Sequence, residues 1–290
     1  MKATMNKKLR RQRRGRTLGG IYAALIYSIF YIPVIVMIQF SFNDAKRNYS
    51  WEGFTTEWYG KLFSFRNHDL WESLGYSILI AIIATAISVI IGVLGGIGLK
   101  KFEFKGKKFV NLMLYVPIVV PEIVLAVAML IIFMTIGIKL GIGTIVIGHC
   151  TFCIPYAVVT IKGRISGDND TLQEASMDLG ANRIQTFWRV TIPSIMPGIM
   201  SAAFLSFTLS IDDVIMSNML ASASQSTLPV LILSVNRTGI TPDINALVTL
   251  VTLAMVMGML TITAIQKHMA KKEAKAMAEA EKRISAARNG

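Results

Sequence analysis

The chain alternates long apolar segments with short charged ones. Six segments either lack charge for at least 22 residues or contain only one or two acidic residues: 18–42, 73–99, 109–138, 140–161, 194–220 and 244–266. Each is long enough for an α-helix to cross a hydrocarbon core of roughly 30 Å. Short buried helices of a soluble protein would not recur so regularly. The pattern therefore predicts an all-α membrane protein with about six transmembrane helices.

Composition agrees with this fold class. Of the 290 residues, 53% are hydrophobic and only 16% are charged, which leaves too little polar surface to cover a soluble globule. The first apolar segment follows a basic stretch, as in a signal peptide. Its apolar run is about twice the usual length, however, and no small-residue cleavage site follows it. We expect an uncleaved anchor.

The distribution of basic residues predicts the topology. Of the 30 Lys and Arg residues, 24 lie in residues 1–17, 100–108, 162–193 and 267–290. The positive-inside rule places these four segments, and both termini, in the cytoplasm. The predicted organisation is a basic tail (1–17), a six-helix transmembrane domain (18–266) that contains the cytoplasmic loop 162–193, and a charged tail (267–290). The net charge of +13 is explained by contact with anionic lipid headgroups, so we expect no nucleic-acid partner.

Motifs for chemistry do not occur in the sequence. It contains no GxxxxGK[ST] phosphate-binding loop and no nucleophile and base in a pattern that supports hydrolysis. Cys150 and Cys153 lie within an apolar segment, where ordinary packing is expected, and the three His residues are far apart. We therefore expect no metal site, no cofactor bound by this chain and no enzymatic activity. If ATP drives the protein, a partner subunit hydrolyses it.

The loop 162–193 carries the most informative polar pattern. Thr171 with Glu174 predicts a capping box at a helix start, and Gly180 predicts a left-handed helix end. Two short helices joined at this glycine would present a rigid surface on the cytoplasmic face. Docking of a partner explains such a surface, although a solvated connector remains an alternative.

A second start signal follows within the same loop. Asn182 with Gln185 repeats the capping pattern and predicts a second short helix. Pro193 and Pro197 then fall in the predicted first turn of the fifth span, where a missing amide is tolerated.

These residues carry a family resemblance. The run Glu174-Ala175-Ser176, then Gly180 and later Pro193, resembles the EAA signature of permease subunits of binding-protein-dependent ABC importers, with Ser176 in place of a second Ala. The resemblance implies that the loop couples to an ATP-binding subunit. The implied coupling residues are Glu174, Ala175, Ser176, Gly180 and Pro193.

The resemblance extends over most of the chain. Residues 51–59, 204–214 and 228–246 are similar to segments of the spermidine/putrescine permeases, of the second of their two types. This resemblance implies a type I ABC importer permease fold in a bacterial cell membrane, with half of a polyamine pathway formed by this chain. The implied partners are an ATP-binding subunit dimer that holds ATP with Mg, a second permease and an extracytoplasmic substrate-binding protein.

Three acidic residues in the apolar segments are candidates for the substrate pathway. A carboxylate in hydrocarbon costs roughly 2.5 to 3.5 kcal/mol on insertion scales, so Glu122, Asp212 and Asp213 require a reason. Counting along straight helices places Glu122 deeper than the Asp pair, which predicts a staircase of acceptors for ammonium groups. Three alternatives remain open: the Asp pair caps a helix end in water, Glu122 pairs with a cation of the second permease, or Glu122 is protonated beside Tyr115.

Other functions fit some of the same residues. A proton-driven secondary carrier would also use intramembrane acids, but such carriers usually show an inverted repeat, which we do not find. An ABC importer of another small cationic solute remains an alternative. Gly92 and Gly96 form a GxxxG pattern that predicts close helix packing, either within the subunit or against its partner.

Overall fold

The computed structural model describes residues 2–46, 50–64, 68–165, 168–222, 225–236 and 241–288. Within them the chain forms twelve α-helices, one π-helical turn and a single isolated bridge pair between Asn43 and Phe54. The α-helices are α1 (Lys2–Phe40), α2 (Glu57–Phe63), α3 (His68–Lys101), α4 (Lys107–Val119), α5 (Glu122–Thr135), α6 (Ile142–Arg164), α7 (Asp168–Asp178), α8 (Arg183–Thr186), α9 (Ile192–Ile211), α10 (Ile215–Leu220), α11 (Leu228–Asn236) and α12 (Pro242–Arg288).

The prediction of an all-α protein with about six spans is confirmed. Among the described residues, five helical stretches are long and apolar enough to cross a membrane: Gly19–Phe40, His68–Lys101, Ile142–Arg164, Arg183–Ile211 and Pro242–Lys271. The pair α4 and α5 makes a sixth if it counts as one span, although the two helices meet at 105°.

Two predicted spans differ from the structure. The segment 109–138 is not one straight helix, because Pro121 has no amide to continue the helix and the preceding Val120 is extended. The segment 194–220 is also interrupted: α9 ends at Ile211, and the short helix α10 follows. The prediction of a continuous helix was wrong at both positions, and both breaks adjoin acidic residues.

The chain divides into two compact units, of which the first comprises Met1–Asn67 with Thr238–Thr252. Asn43 organises the segment after α1. Its side chain donates to the Ser50 carbonyl (2.7 Å) and accepts from the Glu52 amide (2.9 Å), while its own carbonyl accepts from the indole of Trp58 (2.8 Å). These bonds satisfy the Ser50 carbonyl, the Glu52 amide and the Asn43 carbonyl within the segment.

The second unit, His68–Arg237 with Leu253–Gly290, contains the main core, built where α3 and α6 pack side by side. Gly92 makes this close approach possible. A Cβ atom added there would lie 2.7 Å from the Cβ of Ala157 and 3.1 Å from its backbone carbonyl carbon. The GxxxG pattern thus packs within this chain, in accordance with the role of small residues between membrane helices.

Cys150 and Cys153 lie in the same core as free, buried thiols. The Sγ of Cys153 lies 3.5 Å from the Ser206 carbonyl on α9, in donor geometry. The expectation of ordinary packing for these two residues is confirmed.

Candidate functional site

The break between α4 and α5 positions the first acidic residue. Pro121 is not helical (φ −54°, ψ 131°), and Glu122 follows it as the first residue of α5. A carboxylate at this end of a helix faces unpaired amides and the positive end of the helix dipole, which stabilise negative charge. Glu122 is half-buried.

The break between α9 and α10 positions the two aspartates. Asp213 caps the start of α10, since its carboxylate accepts from the backbone amides of Met216 (3.3 Å) and Ser217 (2.7 Å). Only 6% of Asp213 is exposed, whereas the adjacent Asp212 is exposed. One part of the helix-cap alternative is therefore correct, but Asp213 caps its helix in a buried position rather than in water.

The three carboxylates line one pocket of about 510 Å³, together with Phe152, Tyr156 and aliphatic side chains. The carboxyl groups of Glu122, Asp212 and Asp213 are close enough to interact electrostatically. Depth counted along straight helices predicted a staircase, whereas breaks in both segments bring the three acids to the lining of one pocket. An acidic pocket with apolar and aromatic walls can accept ammonium groups on an aliphatic chain.

His149 is a member of this site that the sequence did not identify. It lies on α6 with its side chain 1% exposed, and its Nε2 is 3.1 Å from Oδ2 of Asp213. Its Nδ1 is 2.6 Å from the hydroxyl of Ser210, and Nε2 is also 3.1 Å from that of Ser217. One sequence signal could have identified it: His149 is an ionisable residue in the middle of a predicted span. Such a residue needs a polar partner inside the membrane, just as an acidic residue does.

The structure brings together the residue types of a hydrolytic triad, namely Ser210, His149 and Asp213. The sequence pattern did not indicate this arrangement. The setting does not support hydrolysis. Ser210 is only 3% exposed and lies in the last turn of α9, so its hydroxyl is not accessible to a substrate carbonyl.

The predicted cytoplasmic loop contains α7 and α8. Helix α7 begins at Asp168. The prediction that Thr171 caps it was therefore wrong, because the helix starts one turn earlier. Gly180 has the predicted left-handed conformation, with φ +88°. Its amide donates to the Met177 carbonyl (2.9 Å) and the Ala181 amide to that of Ser176 (3.1 Å), which is the Schellman pattern.

The second capping box is confirmed. The Asn182 side chain accepts from the Gln185 amide (2.8 Å), and the Gln185 side chain accepts from the Asn182 amide (3.0 Å). Helix α8 then runs through the π-helical turn Phe187–Thr191 directly into α9. The second short helix is thus the beginning of a long one. Pro193 lies in the first turn of α9, where the preceding π-helical turn already interrupts the regular hydrogen-bond pattern.

The signature residues of the loop fall into two groups. Glu174 and Ala175 are exposed, whereas the hydroxyl of Ser176 lies 3.2 Å from that of Thr186 and links α7 to α8. Large apolar side chains around them face outward: Leu179 (91% exposed), Ile184 (72%) and Trp188 (64%). An exposed apolar patch of this kind is typical of a protein interface.

Residues 88–275 match the family described as "Binding-protein-dependent transport system inner membrane component". The spermidine/putrescine transport system permease protein PotC of Escherichia coli (strain K12) is 38% identical over 244 residues, which cover 84% of this chain and 92% of that protein. The putrescine transport system permease protein PotI of the same strain is 34% identical over 232 residues, covering 78% and 82%.

Solved structures support the fold. A bacterial ABC transporter involved in the import of the acidic polysaccharide alginate matches with a TM-score of 0.60 and 17% identity, over 88% of this chain and 97% of that one. The MetNI methionine ABC transporter in an inward-facing conformation matches with a TM-score of 0.56 and 17% identity, over 72% and 97%. At this identity the likeness bears on the fold alone.

Proposed function

This chain belongs to the family of binding-protein-dependent transport system inner membrane components, and on that premise we propose that it is a permease subunit of an ATP-driven polyamine importer. It forms half of the substrate pathway and has no nucleotide site of its own. The similarity to PotC, a spermidine/putrescine permease protein, over 84% of this chain is the observation that carries the proposal.

The acidic pocket supports this cargo on chemical grounds. Polyamines carry several ammonium groups on an aliphatic chain, and they need carboxylate oxygens spaced along a partly apolar wall. Glu122, Asp212 and Asp213 supply the oxygens, while Phe152 and Leu209 supply apolar surface. Among the described residues, no Lys or Arg forms an ion pair with these acids, so a cationic cargo can take that position.

The loop 162–193 is the proposed contact with the ATP-binding subunits. Glu174 and Ala175 present the exposed face of α7, and Ser176 and Gly180 hold that helix at a fixed angle to α8. Because α8 continues into α9 past Pro193, a rotation of the docked subunit is transmitted to the helix that ends beside the pocket. Partner subunits bind and hydrolyse ATP with Mg.

The proposal also includes two further partners and the orientation of the chain in the membrane. A second permease contributes the other half of the pathway, and an extracytoplasmic binding protein delivers cargo. Both termini and the loop 162–193 lie on the cytoplasmic side of a bacterial cell membrane, because they carry most of the Lys and Arg residues. Fusion of a reporter to either terminus, active only in the cytoplasm, tests this orientation.

The function is tested by uptake of labelled spermidine and putrescine in cells with and without this gene. We expect uptake to depend on the gene, to stop on ATP depletion and to survive collapse of the proton gradient. Uptake that stops with the proton gradient would indicate a secondary carrier. Gene-dependent, ATP-driven uptake of a different small cation would retain the permease and replace its cargo.

A further inference from the structure

The buried imidazole of His149 joins three elements behind the pocket. It extends from α6 to Ser210 on α9, to Asp213 between α9 and α10, and to Ser217 on α10. In one tautomer both ring nitrogens are paired: the Ser210 hydroxyl donates to Nδ1, and the Nε2–H group donates to the carboxylate of Asp213. Ser210 thereby determines which ring nitrogen carries the hydrogen that faces Asp213.

Asp213 differs from the other two acids in the pocket. Its Oδ2 atom faces the Nε2 of His149 (3.1 Å) and the Ser217 amide (2.7 Å), and its Oδ1 faces the Met216 amide (3.3 Å). This ring of donors favours a carboxylate over an acid. Glu122 is half-buried and Asp212 exposed, so they are the accessible acceptors, with Asp213 as a fixed charge behind them.

We propose that His149 is a positioning residue for cargo transfer, which acts through Asp213 by holding its carboxylate ionised and in place at the back of the pocket. The inference rests on the proposed function, since it assigns a role within the same cation path. Without the ring N–H, a buried carboxylate loses a donor, and the low dielectric favours its neutral form. The pocket then presents one negative charge fewer to an entering ammonium group.

Three substitutions at His149 and Asp213 distinguish this role from simple packing. In His149→Gln, the side-chain amide can donate from nearly the position of Nε2, whereas His149→Leu fills a similar volume without a donor. Asp213→Asn removes the charge through which His149 is proposed to act. Cys153→Ala, one helical turn away on α6, is the matched control for truncation of a buried side chain.

The measurement is the rate of ATP-driven spermidine uptake by cells that carry the whole importer. The rate is divided by the amount of permease in the membrane and is measured at a saturating concentration of the binding protein. We expect His149→Leu to reduce the rate about tenfold or more, on the scale of one lost charge near the cargo. We expect His149→Gln and Cys153→Ala to stay within about twofold of wild type. In the Asp213→Asn background, His149→Leu should cause no further loss, because coupled residues are not additive.

Several results would overturn the inference. These are an unchanged rate in His149→Leu, equal losses in the Leu and Gln variants, or losses at His149 and Asp213 that multiply. If His149→Leu does not reach the membrane, Ser210→Ala replaces it and is combined with Asp213→Asn in the same way. Ser210→Ala removes only the hydroxyl that orients the His149 ring. If the wild-type importer takes up no polyamine, the proposed function is wrong, and the role of His149 falls with it. If the wild type takes up polyamine normally but the variants give one of the results above, only the role of His149 is wrong.

Discussion

Gly180 allows the proposed coupling role of the loop 162–193 to be tested through the backbone alone. The residue is left-handed at φ +88°, and a Cβ atom added there would meet nothing within 4 Å. Substitution therefore changes backbone preference without a steric clash inside this chain. For an ordinary L-residue the left-handed conformation costs roughly 1 to 2 kcal/mol, and a β-branched residue is at the unfavourable end.

We expect Gly180→Val to weaken the Schellman turn between α7 and α8 by about 2 kcal/mol, which corresponds to roughly a 30-fold change in the population of the native loop. Gly180→Asn is the matched control, because Asn has a side chain of similar bulk but tolerates the left-handed conformation. The assay measures ATP hydrolysis and polyamine transport by the assembled importer in the same vesicles. The Val variant should transport several-fold less cargo per ATP hydrolysed than the Asn variant.

Two results would refute this reasoning. If the Val and Asn variants lose coupling equally, then bulk at the docking surface, and not backbone conformation, determines the effect. If both variants transport normally with unchanged ATP use, this loop does not couple the subunits.

Three further predictions address packing, charge and capping. Gly92→Ala should destabilise the protein by about 1 to 3 kcal/mol, because α3 must move away from α6. Gly75→Ala lies in open space on the same helix and should be neutral or stabilising. Equal thermal unfolding midpoints for the two variants would contradict this prediction. Glu122→Gln and Asp212→Asn should each lower polyamine uptake about tenfold at unchanged membrane abundance, and full uptake in both variants would remove the acidic pocket from the pathway. Asn182→Ala should destabilise the start of α8 by about 1 kcal/mol. Amide hydrogen exchange at the start of α8 should then be faster in this variant than in Asn182→Ser, which keeps a capping side chain. Equal exchange rates in the two variants would show that the cap contributes little.

The sequence by itself determined the class and much of the local structure. Long uncharged segments have few options other than membrane helices, because hydrocarbon leaves backbone groups no partner outside the chain. Local signals also proved sufficient where the contacts are local: the left-handed turn at Gly180 and the reciprocal capping of Asn182 and Gln185 involve neighbours within a few residues. The N-terminus of α7 was misplaced because a helix can extend past a good capping residue.

Only the tertiary structure decided how the candidate site is assembled. Glu122 and Asp213 are about ninety positions apart in the chain, and His149 lies between them on another helix. Their meeting depends on two helix breaks, of which the one at Pro121 could be suspected and the one after Ile211 could not. Helical periodicity places a side chain on a face of its own helix, but it does not determine which other helix that face meets. The choice of partner depends on close packing, such as that of Gly92 against Ala157, and packing involves the whole fold.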